Sequence, residues 1–156
     1  MELKFTLALP RDELTIPVVR RILSRSLEVL GVERECTADI EVAITEACTN
    51  VLDHAREGDE YAVSASITGR MCVIEITDTG AGFDAAAVGK QDADPSAEAG
   101  RGIQLIRALV DRVRFEGRVE SGGTVVHLEK RLEWADGSPI DRLMELQEGA
   151  PAAEPA

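Results

Sequence analysis

Between residues 37 and 56 the apolar positions recur with a helical period. At about 100° per residue, Ile40, Ile44, Ala47 and Val51 fall on one narrow face, the spacing of a helix that faces a core. Glu46, Asn50 and Asp53 share a second strip that starts where the first ends. Taken alone, such a strip is either a solvated flank or the polar wall of a pocket, and helix flanks are more often simply wet. Upstream, LKFTLAL alternates apolar and polar residues and stops at Pro10, which predicts a strand. From about Glu13 to Leu30, Val18, Ile22, Leu27 and Leu30 are spaced helically, and Gly31 ends the run. Gly58 closes the second helix, and AVSASITG and MCVIEIT then predict two strands joined by a turn at Gly69 and Arg70.

The stretch DTGAGFDAAAVGKQDADPSAEAG breaks this regularity, being rich in Gly, Ala and Asp with weak periodicity, and reads as a functional loop. GIQLIRALVDRV predicts a helix that opens on glycines, and VRFEGRV and GGTVVHLEKRL a closing pair of strands. Helices that must cover one face of hairpin-paired strands give an α+β fold, a two-layer sandwich with a mainly antiparallel sheet. Residues 1–132 make up this domain, and 133–156 form a tail. Ser138 and Pro139 there offer a helix cap, with Ile140, Leu143, Met144 and Leu146 as one short apolar face, and APAAEPA beyond it has the composition of a disordered end.

Composition narrows the function classes. Apolar residues make up 44% of the 156 positions but aromatic ones only 3%, so the core must be aliphatic. The net charge of -12 argues against nucleic acid, which needs a basic surface, and leaves a basic protein partner open. Cys36, Cys48 and Cys72 are odd in number and have neither C-x-x-C spacing nor a His at ligand distance in sequence, so no disulfide framework or zinc site is indicated. Free thiols fit a reducing cytoplasm. The start, MELKFTLALP, lacks a long apolar segment and nowhere do 18 apolar residues run together, so no signal peptide or membrane span is expected.

Two glycine clusters could carry chemistry. In ITDTGAGFD, Asp78 ends a strand, and Gly80 and Gly82 permit positive φ or a close approach to a ligand, although D-x-G-x-G can also be only a turn. It lacks the third glycine of a dinucleotide fingerprint, and no G-K-[ST] makes a P-loop. In GRGIQLIRALV, Gly100 and Gly102 flank Arg101 at a helix start, where exposed N–H groups and a permanent cation suit phosphate.

EVAITEACTNVLDHA, DTGAGFD, GRGIQLIRALVDRV and GGTVVHL, in this order and at these separations, resemble the N box, the two glycine boxes and the closing strand of the GHKL (Bergerat-fold) ATP-binding superfamily. The E-A-x-x-N-x-x-x-H-A form, the short lid and the opening strand-then-helix layout are most similar to the bacterial anti-sigma-factor serine/threonine kinases. The resemblance spans about Leu3 to Leu132 and implies ATP and Mg²⁺ as cofactors. It gives Asn50 the role of Mg²⁺ ligand and Glu46 that of general base toward a serine hydroxyl. Asp78 would accept a hydrogen bond from the adenine amino group, with Thr124 near the adenine through a water. Gly80 and Gly82 would let the chain pass close to the nucleotide, and Gly100, Arg101 and Gly102 would form the lid over the phosphates. His54 belongs to the motif and reads as structural. Arg56 stands where relatives often carry an aromatic residue or Gly, and the lid is acidic, with Asp92, Asp94 and Glu98.

The resemblance implies a protein serine kinase that also sequesters a sigma factor and is switched by phosphorylating an antagonist, with homodimerisation as a family expectation. A nucleotide-dependent binding module without turnover uses the same residues. A histidine-kinase catalytic domain is the third reading, disfavoured because the chain starts directly at the first strand; autophosphorylation on His54 or His127 would mark it.

Overall fold

The computed structural model describes residues 2–54, 60–78, 98–117 and 124–149. The chain opens with strand β1 (Glu2–Pro10), followed by helices α1 (Thr15–Leu30) and α2 (Arg34–His54). Strands β2 (Glu60–Thr68) and β3 (Met71–Asp78) form the expected hairpin, and Gly69 takes φ 57 at its two-residue turn. Helix α3 (Glu98–Leu109), strands β4 (Arg112–Gly117) and β5 (Thr124–Arg131) and a last helix, α4 (Pro139–Glu148), complete the order.

The five strands make one sheet in the order β1-β2-β3-β5-β4, and all four pairings are antiparallel. Alternation decides which side is covered. Tyr61, Val63, Ala65 and Ile67 of β2, and Cys72, Ile74 and Ile76 of β3, are buried under the helices. Their neighbours on the other side are half-buried or exposed. The result is the two-layer α+β sandwich that the pattern predicts.

Ile40, Ile44, Ala47 and Val51 of α2 are at most 1% exposed and sit at the centre of the core. In α1 the first half of the expected stripe is out of phase, while Leu27 is buried and Leu30 packs against the core as expected. The buried residues are Ile16, Val19, Leu23 and Leu27, while Val18 and Ile22 are exposed. Both sets obey a helical period, so spacing alone could not choose between them, and docking against the sheet did. Gly31 adopts φ 85 as the left-handed cap of α1. A Cβ there would lie 2.8 Å from Ser138 Cβ and 3.0 Å from Pro139 Cδ, because the start of α4 packs onto it.

Helix α4 is capped by the Ser138 hydroxyl, which accepts from the Asp141 N–H. Ile140 is fully buried and Met144 is packed against the core. Leu143 and Leu146 are exposed, so the short apolar face is narrower than the composition suggested. Trp134 joins the same core, with its Nε1–H on the Asp141 carboxylate at 3.2 Å and the Arg70 guanidinium stacked 4.0 Å above the ring. APAAEPA lies outside the described residues.

Lys130 of β5 locks the helical layer to the sheet, donating to Asp39 of α2 at 3.1 Å and to the last-turn carbonyl of Leu109 in α3 at 2.7 Å. Cys36, Cys48 and Cys72 are free and buried, and burial pushes the Cys48 and Cys72 thiols up to about 12. Among the described residues no helix is long and apolar enough to cross a membrane.

Candidate functional site

The polar strip of α2 divides where the structure places it. Asn50 is buried, Glu46 is half-buried, and Asp53 is exposed beside Thr45 and Thr49 in a recess toward α1. Only Glu46 and Asn50 face α3. They are one helical turn apart on the same side, as the i, i+4 relation requires. What they meet is Gly102: a Cβ on that glycine would stand 2.8 Å from Glu46 Oε2 and 3.6 Å from each terminal atom of the Asn50 amide. The bare backbone of α3 therefore occupies the place where any side chain would press on the carboxylate.

Gly102 is held there by its neighbours. Ile103 and Ile106 of α3 are buried, Ile106 within the hydrophobic core, whereas Arg101 is exposed. Gly100 lies in the first turn of the same helix. The Asn50 amide nitrogen is buried and has no hydrogen-bond partner among the described residues, a state that costs free energy unless a ligand or water completes it. The donor chemistry of the pair, an amide oxygen beside a carboxylate, is that of a hard cation with oxygen ligands. No cluster of three or more His, Cys, Asp or Glu that could hold a metal exists among the described residues.

The second half of the site lies at the ends of the central strands. Asp78 closes β3 directly opposite Thr124, the first residue of β5, and both are 1% exposed. Its other cross-strand neighbour is Tyr61 of β2, whose hydroxyl meets the Thr15 hydroxyl at 2.6 Å. Burial raises the Tyr61 phenol pKa, against a smaller opposing effect of the Thr15 hydrogen bond.

Arg11 is the component that sequence reasoning missed. It follows β1, lies far from α2 and β3 along the chain, and carries no motif. Folding brings its Nη2 to the carbonyls of Leu52, at 3.0 Å, and Val51, at 3.4 Å, in the last turn of α2. Its Nε lies 3.9 Å from Asp78 Oδ1. Gly80, Gly82, Asp92 and Asp94 lie outside the described residues. His127 is on the uncovered side of the sheet, its ring nitrogens 3.1 Å from Glu75 and 2.9 Å from Glu129.

A sandwich that sets an acid-amide pair of one helix against the glycines of another, with a buried aspartate at an adjacent strand end, has the layout of a nucleotide-binding ATPase domain. Residues 9–130 match the model of the histidine kinase-like ATPase domain, and the chain belongs to that family. It is similar to the serine-protein kinase RsbW of Halalkalibacterium halodurans, 33% identical over 137 residues that cover 78% of this chain and 83% of that protein. RsbW of Bacillus cereus is 26% identical over 150 residues, covering 88% and 92%. Among solved structures, a Mycobacterium tuberculosis protein with RsbU and RsbW domains superposes with a TM-score of 0.64 at 23% identity. That match covers 83% of this chain but only 32% of the other, so the chain spans about a third of its length. The catalytic domain of the histidine kinase ThkA has the same fold, with a TM-score of 0.54 at 14% identity over 81% of this chain and 95% of that one.

Proposed function

We propose that this chain is an ATP-dependent protein serine kinase that phosphorylates an anti-sigma-factor antagonist and, in the alternate state of the same cycle, sequesters a sigma factor. The observation that carries the reading is the meeting of Glu46 and Asn50 with the bare backbone of Gly102. Similarity to serine-protein kinases over most of the chain supports the reaction class.

In this reading Asn50 holds Mg²⁺ through its amide oxygen, and the bound ion would offset the charge of the phosphates. The Asn50 amide oxygen has the chemistry of a ligand for that ion, while its buried amide nitrogen, a donor without a partner among the described residues, is left to donate to an acceptor oxygen such as a phosphate's. Glu46 takes the proton of the substrate serine hydroxyl as its oxygen attacks the γ-phosphorus, and the bond from that phosphorus to the β–γ bridging oxygen breaks as ADP leaves. Asp78 accepts from the adenine amino group, and Thr124, beside it across the strands, holds a water there. Gly100, Arg101 and Gly102 close over the phosphates, and Arg101 adds a permanent positive charge. Gly80 and Gly82 are assigned their backbone role by family resemblance. Residues 1–132 are the catalytic unit, and the segment after them docks onto the same core through Trp134 and Ile140. The cytoplasm is the compartment that suits its free thiols.

The test is calorimetric titration with ATP, with and without Mg²⁺, on the wild type and on Asp78→Asn, followed by phosphoryl transfer to the cognate antagonist by the wild type and Glu46→Gln. Magnesium-dependent binding that Asp78→Asn weakens but leaves measurable, with transfer that Glu46→Gln abolishes, is the expected result. Binding without any transfer would replace the kinase by a nucleotide-dependent binding module.

A further inference from the structure

Arg11 touches three separately folded pieces of the candidate site. Its own backbone is pinned where β1 runs into α1: the Asp12 N–H donates to the Pro10 carbonyl, the Asp12 carboxylate accepts from the Leu14 N–H, and the Thr15 hydroxyl donates to the Asp12 carbonyl at 2.6 Å. From this fixed root the side chain, 10% exposed, runs to the end of α2 and to the end of β3. The last-turn carbonyls of a helix carry partial negative charge and lack partners within the helix, so a guanidinium there is favoured twice over. Asp78, whose side chain is 0% exposed, supplies a full negative charge 3.9 Å from Nε of the same guanidinium, a charge-to-charge contact longer than a hydrogen bond. A delocalised guanidinium can donate to the carbonyls through Nη2 while its charge faces Asp78, which a lysine ammonium, a compact point charge, does less well.

The consequence falls on two residues already assigned. Asp78 can rotate about its Cβ–Cγ bond, and a buried cation 3.9 Å from Oδ1 biases that torsion and hence the direction of the remaining lone pairs. Val51 and Leu52 directly follow Asn50, so an anchor on their carbonyls also holds the turn that carries the amide. We infer that Arg11 is a positioning residue of the nucleotide site: it aims the Asp78 carboxylate at the base and ties it to the helix of Glu46 and Asn50, so that adenine recognition and phosphate binding are mechanically linked. This rests on the proposed nucleotide reading and goes beyond it, because it makes discrimination of the base depend on a residue outside every motif.

The experiment compares wild type, Arg11→Met, Arg11→Lys, Asp78→Asn and the Arg11→Met/Asp78→Asn double variant for affinity toward Mg-ATP and Mg-GTP, with melting temperature measured on the same samples. Arg11→Met is expected to weaken ATP binding about tenfold and to narrow the ATP-to-GTP ratio, since one ion pair to a buried partner is lost. Arg11→Lys should recover part of the ratio. In the Asp78→Asn background, removing Arg11 should narrow the ratio no further. A plain helix cap would lower the melting temperature and leave the ATP-to-GTP ratio of the wild type intact, and that result overturns the inference. Fully additive losses in the double variant overturn it as well. If Arg11→Met does not fold, Arg11→Lys decides: a wild-type ratio there, with a lowered melting temperature, refutes the inference. A wild type that binds neither nucleotide removes the nucleotide reading and this inference together, whereas Asp78-dependent binding indifferent to Arg11 removes this inference alone.

Discussion

Gly102→Ala separates catalysis from stability in a way few substitutions can. The position lies inside α3, where alanine is the better helix former by roughly 0.5–1 kcal/mol. The new methyl would stand 2.8 Å from Glu46 Oε2, where ordinary contact begins at 3.4 Å, while both atoms of the Asn50 amide, at 3.6 Å, are left undisturbed. Something must therefore move by roughly half an ångström, and the softest element is the end of the Glu46 side chain, which can swing about its own torsions. The stability cost is then small enough for the helix gain to offset, and the melting temperature should stay the same or rise by a few degrees. A displaced general base is a different matter: misplacement on this scale costs about a hundredfold in rate. Phosphoryl transfer to the cognate antagonist, followed with purified proteins, should fall by about that factor while Mg-ATP affinity changes little. In a Glu46→Gln background the same alanine should cost nothing more, because the group it displaces is already disabled. Unchanged transfer by Gly102→Ala in the wild-type background would refute the reasoning. So would a fall of several degrees in melting temperature, which would mean that α3, and not Glu46, gives way.

Three further outcomes follow from the packing. Gly31→Ala combines a left-handed φ of 85 with carbon–carbon contacts of 2.8 and 3.0 Å against the start of α4. It should destabilise by about 2–3 kcal/mol and lower the melting temperature by roughly 4–12 °C; an unchanged calorimetric transition would contradict the docking of α4. Cys48 and Cys72, with thiol pKa values pushed up to about 12 by burial, should resist iodoacetamide at pH 8 in the native protein and react at once in denaturant. Raised folded-state values also mean that the thiols' contribution to stability is intact below about pH 9, the ordinary thiol value, and is lost as the pH climbs toward 12. The Asp141 carboxyl is held below its ordinary range first by the Gly137 N–H and then by the Trp134 indole N–H. What it contributes is therefore present above the usual aspartate pKa and lost as the pH falls through the lowered one. Fluorescence of Trp134, the single tryptophan, should stay native through the ordinary aspartate range and change only below it, and Asp141→Asn should abolish that step.

Hydrophobic periodicity was enough to draw the fold. Alternation in LKFTLAL and AVSASITG, the turn at Gly69 and Arg70 and the buried stripe of α2 each depend on neighbours close in sequence, and each stands where it was expected. The phase of α1 did not follow in this way. Val18 and Ile22 are as apolar as Val19 and Leu23, and the choice between them was made by the surface onto which the helix docks. The same limit applies to Leu146, which composition placed on an apolar face and packing left exposed.

What the sequence by itself determined is the set of local preferences: which segments are helix or strand, that Glu46 and Asn50 border a buried stripe, and that glycines stand at the start of α3. Only the tertiary structure decided which of these meet. Gly102 lies against Glu46, Thr124 lies opposite Asp78, and Arg11 reaches both the end of α2 and the end of β3. A helical or strand period is written in each residue's nearest neighbours, whereas an ion pair between Arg11 and Asp78 exists only because a sheet register and a helix docking, set by hydrophobic burial elsewhere, bring two distant charges into one dry place.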